Sequence, residues 1–284
     1  MSLWWSDHIR VGLGSDRVDL IRVGGGWRPR VLASHSRHSV EIAVAEGQPA
    51  WRGVLGALRQ GLDVVRTGGA TGTKGKAVGC SIVVGSQWAR YQLVPWQAGL
   101  ANPREYLSYA SLLFRSVYGG MAEKWEVACS EARYGFPALA CAIDKELMAG
   151  LRGVIAESGL QLASVKPFLS SAIGRWRKNL TGPDYWFALM DSGRICLLNT
   201  TAGKPRLLCV QPLREDITTD FPAMLQRESI GLGHANRNLP VYFFGPGLNR
   251  ESLRALQEAR MRVLDAASYL APVNADARFA MALA

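Results

Sequence analysis

The sequence lacks the features that mark several classes of protein. It has only four histidines, and its five cysteines never form a CxxC pair, so they predict neither a zinc site nor a dithiol redox motif. No apolar run approaches the roughly 20 residues that a membrane-spanning helix needs, and residues 1–7 lack the basic and apolar regions of a signal peptide. We therefore expect a cytoplasmic protein whose thiols are reduced and mostly buried.

Common catalytic signatures are missing as well. The sequence contains no GxSxG elbow for a serine nucleophile. The glycine-rich loop 67–76 places Ala70 and Ala77 where a P-loop requires a glycine and a magnesium-binding hydroxyl. His35 and His38 lie close together without a third ligand, which favours solvated loop residues over a metal site. We expect no metal site and no catalytic residue.

The net charge of +10 favours an acidic partner such as nucleic acid, an anionic lipid surface or an acidic protein. The basic residues are nevertheless dispersed, and the one tight group, Arg175–Lys178, falls at the predicted end of a helix, where cations interact favourably with the helix dipole. A two-metal nuclease would also need an aspartate on the first strand, where Gly12 or Gly14 stands. A basic nucleic-acid binder is an alternative that the net charge allows and the residue pattern does not favour. We therefore expect no nucleic-acid partner.

The strongest positive signal is a hairpin pattern that occurs twice, at residues 8–23 and 185–199. In both segments an apolar strand, a turn of small residues and a second apolar strand follow one another. The second turn contains a carboxylate in Asp191-Ser192-Gly193, whereas the first reads Gly12-Leu13-Gly14 and has none there. The repeat at domain-sized spacing predicts two related lobes.

The elements that follow each hairpin support this division. A third strand is predicted at 40–45 and a helix at 51–65 in the first lobe, and the second lobe reads strand, strand, strand, helix, strand, helix from 185 to 262. This is the order of an RNase H-like unit. We predict a mixed α/β protein with a first RNase H-like lobe over 1–180 and a shortened second lobe over 181–284.

An inserted subdomain is predicted around residues 80–142 of the first lobe. Two strands turn near Gly85-Ser86, a helix opens at Asn102-Pro103 with a capping residue and proline, and a second hairpin turns around 134–137.

The order of these parts resembles the PilM and GspL proteins, actin-like cytoplasmic components of bacterial type IV pilus and type II secretion machines. Segment 82–95 resembles that family's strand, turn and arginine-containing return strand, 162–168 its strand before the helix between lobes, and 277–283 its closing helix. The resemblance spreads over nearly the whole chain. It implies an actin-like fold of the actin and hexokinase superfamily.

The resemblance also implies a nucleotide cleft, with ATP and magnesium as the possible cofactors and these candidate residues: Gly14, Ser15, Asp191, Ser192, Gly193, Gly245 and Gly247. Gly12 stands in place of the aspartate of the first phosphate motif, and the short passage after Leu213 leaves no room for a subdomain that encloses adenosine. Turn chemistry alone already explains Asp191 and Gly193, which favours an ordinary tight hairpin over a working nucleotide site. We expect a degenerate nucleotide site.

A partner surface is predicted at Trp88, Arg90, Tyr91 and Trp96, because tryptophan and arginine are favoured at interfaces; packing in a core is the alternative for both tryptophans. In the resembling family the first lobe accepts an N-terminal peptide of an inner-membrane protein. The resemblance thus implies an adaptor at the inner membrane that docks such a tail and an assembly ATPase. The alternative is an active ATPase or small-molecule kinase.

Overall fold

We describe the protein from a computed structural model, in which the described residues are 7–25, 30–38, 49–67, 78–100, 102–214, 216–233, 239–245, 248–264 and 280–283. Their strands are β1 (His8–Leu13), β2 (Arg17–Val23), β3 (Val31–His38), β4 (Gly79–Val84), β5 (Ala89–Val94), β6 (Trp125–Cys129), β7 (Ala138–Asp144), β8 (Gln161–Pro167), β9 (Tyr185–Asp191), β10 (Arg194–Thr201), β11 (Lys204–Pro212), β12 (Val241–Phe244) and β13 (Arg262–Val263). Their α-helices are α1 (Trp51–Thr67), α2 (Pro103–Tyr118), α3 (Lys145–Glu157), α4 (Phe168–Trp176), α5 (Ile217–Gly231), α6 (Arg250–Glu258) and α7 (Ala280–Leu283), and a 3-10 helix covers Gly119–Lys124.

The first of two compact units consists of the described residues of Met1–Trp88, Asp144–Ala172 and Ala266–Ala284. Its sheet has the order β3-β2-β1-β4-β8, with β1 antiparallel to β2 and parallel to β4. The helix α1 packs on β2 and β3, and α7 packs against β1. The apolar side chains of β1 and β2 alternate between these two layers, which explains why both faces of this sheet are buried.

The second unit consists of the described residues of Ala89–Ile143 and Ile173–Asp265. Its larger sheet has the order β11-β10-β9-β12-β13. A core of apolar side chains lies between this sheet and the helices α5 and α6, and Trp186, Phe221, Phe243 and Leu256 are among its buried members.

The same unit contains a three-stranded sheet with the order β5-β7-β6. Tyr106, Ala110 and Phe114 of α2 are buried against it at helical spacing. Asn102 caps α2, since its side-chain oxygen accepts hydrogen bonds from the backbone amides of Arg104 and Glu105 at 3.0 Å.

The predicted order of elements agrees with the described residues, apart from the differences below and the strand β13, which was not predicted. The third strand of the first unit is β3 at Val31–His38, because it pairs residue by residue with β2; residues 40–45, where we predicted it, lie outside the described residues. The prediction of loop histidines was therefore wrong, since His35 and His38 belong to β3. The ring of His35 lies beside Gly61 of α1.

The strands on either side of Gly85-Ser86 do not pair with each other. β4 is hydrogen-bonded on both edges, to β1 and β8, and β5 pairs instead with β7. The closing helix is seen at Ala280–Leu283, while 277–279 and 68–77 lie outside the described residues. The predicted division at residues 180 and 181, with an insertion around 80–142, stays a prediction.

Candidate functional site

The turn between β1 and β2 holds the first two nucleotide candidates, Gly14 and Ser15. The amide of Gly14 donates to the carbonyl of Arg17 at 2.9 Å, and its carbonyl accepts a 2.8 Å hydrogen bond from the indole Nε1 of Trp88. Both backbone groups of Gly14 are thus engaged inside the first unit. A phosphate group bound here would need backbone N–H donors, and that of Gly14 is already used.

Gly12 precedes this turn and lies against α7. A Cβ atom at Gly12 would be 2.9 Å from the backbone nitrogen of Ala282 and 3.0 Å from the Cβ of Met281. Real Cβ atoms essentially never approach another heavy atom so closely, so the helix occupies the space that any side chain would need. The missing aspartate of the first turn therefore reflects packing against α7.

Asp19 of β2 pairs directly with Gly12 across the two strands. Only 3% of Asp19 is exposed. It accepts a 2.6 Å hydrogen bond from the hydroxyl of Ser36 and forms an ion pair of 3.3 Å with Arg17. These contacts satisfy a buried charge within the sheet, so Asp19 is held as a structural group.

The second turn, between β9 and β10, contains Asp191, Ser192 and Gly193. Ser192 and Gly193 have φ angles of 49° and 71°, as in the two-residue turns that connect right-twisted antiparallel strands. The hydroxyl of Ser192 donates to Oδ1 of Asp191 at 2.8 Å, and Asp191 is 3% exposed. The geometry is that of a tight hairpin with a buried carboxylate at its first position.

Gly245 lies beside this second turn, because β12 runs parallel to β9 and ends next to it. A Cβ atom at Gly245 would be 3.0 Å from the Cβ of Met190 and 2.8 Å from the ring of Phe243. The second unit thus brings Asp191, Ser192, Gly193 and Gly245 to one end of parallel strands, where α/β sheets bind ligands. Gly247 lies outside the described residues.

Within the described ranges, no group of three or more His, Cys, Asp or Glu side chains is arranged to hold a metal ion. Burial raises the pKa of Cys80 and of Cys141 to about 12, and chiefly burial raises the pKa of Cys209 to about 11. These thiols are poor ligands and nucleophiles because they stay protonated.

The partner candidates are divided between the two units. Trp88 belongs to the first unit, where its indole binds Gly14, while Arg90, Tyr91 and Trp96 belong to the second. Arg90 and Tyr91 lie on β5. Trp96 follows that strand and packs edge-to-face on Tyr134, with ring centroids 4.8 Å apart. The sequence patterns did not select Tyr134, although its turn was predicted.

No protein-family model matches the sequence, and no curated protein matches it. Solved structures do match its fold. A chain of the PilM-PilN type IV pilus biogenesis complex superposes with a TM-score of 0.65 at 16% identity. The match covers 98% of this chain and 97% of the matched chain. The cytoplasmic domain of EpsL, an inner-membrane component of the type II secretion system of Vibrio cholerae, matches with a TM-score of 0.52 at 11% identity. The match covers 90% of this chain and 94% of the EpsL chain.

A third structure, from Bacteroides thetaiotaomicron, has an actin-like ATPase fold and unknown function; its TM-score is 0.57 at 11% identity, with 92% and 91% of the two chains covered. This chain has an actin-like fold. The resemblance predicted from the order of elements is thereby confirmed at the level of the fold. The assignment of individual residues to the actin-like nucleotide cleft stays a prediction.

Proposed function

We propose that this actin-like protein is an adaptor in the assembly platform of a bacterial type IV pilus or type II secretion machine. It would dock the cytoplasmic tail of an inner-membrane protein, with an assembly ATPase as a second partner. It would work at the cytoplasmic face of the inner membrane, as a peripheral protein. The observation that carries this proposal is the whole-length fold similarity to PilM in its complex with PilN.

The geometry of the first turn supports a role without catalysis. Gly12 has no room for a side chain, and the amide of Gly14 already donates to Arg17. Actin-like ATPases rely on carboxylates that position magnesium and its waters. A first turn that holds no such carboxylate at Gly12 favours scaffolding over hydrolysis. Among the described helices, none is long and apolar enough to cross a bilayer.

Co-purification from the native organism tests the proposal directly. The protein, tagged and produced at its native abundance, should be recovered with a membrane protein of a pilus or secretion platform. A tagged chain with the same overall charge but no actin-like fold serves as the control for electrostatic capture, since the net charge is +10. Recovery of no such component above this control would overturn the adaptor role.

The second candidate function is an ATPase or small-molecule kinase, and the buried carboxylate of Asp191 favours it. Thermal unfolding with magnesium and ATP separates the two functions, because a ligand at 100 times its Kd stabilises the folded state by about 2.7 kcal/mol. The adaptor predicts no shift in Tm. A shift that disappears in Asp191→Asn, with the Tm of the free variant unchanged, would favour the enzyme.

A further inference from the structure

An exposed basic surface lies on the second unit. It consists of Arg177 and Lys178, which follow α4, and of Arg260 and Arg262, which follow α6. Each of these four residues is exposed. The two pairs are far apart in sequence, so the surface exists only in the folded unit.

Side chains of β12 bring the two pairs together. The guanidinium of Arg262 donates to the hydroxyl of Tyr242 at 2.8 Å, and the hydroxyls of Tyr242 and Thr181 are 2.8 Å apart. The ring of Trp176 packs edge-to-face on that of Phe244, two residues further along β12, with centroids 5.4 Å apart. The segment that carries the first pair is therefore anchored at both ends beside β12, over the same face of the sheet as the side chain of Arg262.

The end of α4 does not need the cations that follow it. The carbonyl of Trp176, the last residue of this helix, accepts hydrogen bonds from the backbone amides of Asn179 and Leu180 at 2.8 and 3.1 Å. Backbone groups thus satisfy the end of the helix, as in other closed helix ends. The basic pair lies in the turn beyond it and points outwards.

The charges of the basic surface are not neutralised by close partners. Within the described ranges, the side chains of Arg177, Lys178 and Arg260 have neither an ion-pair nor a hydrogen-bond partner. Arg262 donates to the uncharged hydroxyl of Tyr242 and keeps its full charge. All four cations are therefore open to an anionic partner.

Arg260 has a backbone conformation that favours glycine. Its φ angle is 61°, and its amide donates to the carbonyl of Gln257 at 2.9 Å in the turn that ends α6. Glycine adopts this conformation at the lowest cost. An arginine here is held at a conformational cost, and such outliers concentrate at functional sites. This observation is independent of the charge count and points to a use for the side chain.

The basic surface offers charge without aromatic faces. Segments 175–184 and 258–264 contain five cations and only two carboxylates. Proteins that bind single-stranded nucleic acid add exposed rings on which bases stack, whereas the rings beside this surface, Trp176 and Tyr242, are only 8% and 2% exposed. Anionic lipid headgroups are attracted by clustered Lys and Arg side chains alone. A lipid surface is therefore the better match.

We infer that Arg177, Lys178, Arg260 and Arg262 bind the headgroups of an anionic phospholipid membrane. The cytoplasmic leaflet of a membrane carries a negative surface potential that attracts such cations, and the net charge of +10 acts in the same sense. In placing the protein beside that leaflet, the inference rests on the proposed adaptor function. Binding to lipid needs no protein partner, so it can be tested by itself.

The first test is co-sedimentation of the full chain with vesicles. One set contains phosphatidylcholine with about one third phosphatidylglycerol, and the matched set contains phosphatidylcholine alone. We expect binding to the anionic vesicles to be at least about tenfold stronger at about 0.1 M salt, and to weaken at about 0.5 M salt because surface charges are screened. Equal binding to both sets, or binding to neither, would overturn the inference.

Paired variants locate the site. Arg177→Gln combined with Lys178→Gln should weaken binding to the anionic vesicles by about tenfold or more, since each cation beside an anionic surface contributes about fivefold. The control combines Arg104→Gln in α2 with Lys124→Gln in the 3-10 helix, both exposed, and removes the same charge. It should bind nearly like the wild type. Equal losses in the two double variants would mean that the net charge acts as a whole, and would reject the basic surface.

Arg260→Gly separates the charge from the fold. Glycine accepts the positive φ angle without strain, so this variant should not lower the Tm, while its binding to the anionic vesicles should weaken by about threefold or more. Unchanged binding in Arg260→Gly and in the double variant of Arg177 and Lys178 would show that the protein does not meet lipid with this surface.

The outcomes separate this inference from the proposed function. Vesicle binding that depends on Arg177 and Lys178, together with failure to recover a membrane-platform protein, would support the basic surface and reject the adaptor role. Recovery of a platform protein from detergent-solubilised membranes, without binding to anionic vesicles, would support the adaptor role and reject the lipid. Binding of double-stranded DNA that is lost in the double variant, with no binding to vesicles, would assign the surface to nucleic acid instead.

Discussion

Gly12 of β1 faces the backbone of Ala282 in α7, and a Cβ atom at Gly12 would lie 2.9 Å from the Ala282 nitrogen. The first strand and the closing helix are far apart in sequence, so this contact exists only in the folded unit. It links two properties of the protein, the attachment of α7 and the absence of a carboxylate in the first turn.

The variant Gly12→Ala should therefore destabilise the fold by about 1–3 kcal/mol, the usual cost of inserting a methyl group into a packed region. Chemical denaturation would measure the change in the free energy of unfolding. Gly99→Ala is the matched control, because a Cβ atom at Gly99 meets nothing within 4 Å. Equal stability of the two variants would mean that α7 does not pack on Gly12 in solution.

The hydrogen bond from Trp88 to Gly14 predicts a specific effect of removing the indole nitrogen. Trp88→Phe keeps an aromatic ring but leaves the carbonyl of Gly14 without its donor at 2.8 Å, which should cost about 1 kcal/mol of unfolding free energy. Trp96→Phe is the control, since the described residues give the Trp96 indole no acceptor. A loss in Trp96→Phe as large as that in Trp88→Phe would contradict this assignment.

Two ion pairs of the first unit should differ strongly in their contribution to stability. Arg22 and Asp7 are 2.7 Å apart, and their side chains are 8% and 14% exposed. Arg22→Met leaves the Asp7 carboxylate unpaired in a mostly buried site, which should cost about 3 kcal/mol. Arg59 and Glu157 are more than half exposed, so Arg59→Met should cost less than about 1 kcal/mol. The free energy of unfolding of both variants is measured with urea. Similar losses in Arg22→Met and Arg59→Met would refute this ranking.

His8 should make the fold less stable in mild acid. Burial, and then the charge of Arg10, hold the pKa of His8 below its ordinary value of 6.5. As the pH falls below 6.5, the unfolded chain binds a proton that the folded chain does not yet bind, so the free energy of unfolding falls. The loss ends below the folded-state pKa. In His8→Gln this part of the pH dependence should disappear when unfolding is measured between about pH 7.5 and pH 5.5.

An NMR titration provides the control for His8. Arg10→Gln should move the pKa of His8 upwards, because it removes one of the two causes of the depression. An unchanged pKa in that variant would show that the Arg10 charge does not reach the imidazole.

The five thiols should react slowly with Ellman's reagent in the folded protein. Burial raises the pKa of Cys80 and Cys141 to about 12, and it also raises the pKa of Cys196 and Cys129. Cys129 is less buried than Cys80, Cys141 and Cys196, so its thiol should be among the first to react with the reagent at about pH 8. Cys129→Ser should therefore reduce the amplitude of the fastest phase. Immediate reaction of all five thiols without denaturant would contradict the burial of these strands.

The repeated hairpin and the elements after it were sufficient to predict two related lobes, because alternation of apolar residues and turn chemistry are local properties. The actin-like fold was implied by the resemblance of the order of elements to the PilM and GspL proteins. The helix α2 at Pro103–Tyr118 was predictable from a capping asparagine followed by proline. The turn at Ser192-Gly193 was predictable from residues that tolerate positive φ. The strand β3 at Val31–His38 was not predicted, since its position depends on pairing with β2. Short polar strands are specified mainly by their neighbours.

By itself the sequence determined the order of strands and helices, the lack of a carboxylate at Gly12 and the presence of one at Asp191. Only the tertiary structure decided what surrounds these residues: α7 against Gly12, Trp88 on Gly14, and Trp96 with Tyr134 in a groove. The physical reason is the range of the interactions. Backbone preferences and hydrophobic periodicity act over a few residues, whereas close packing and the satisfaction of buried polar groups join residues from distant parts of the chain.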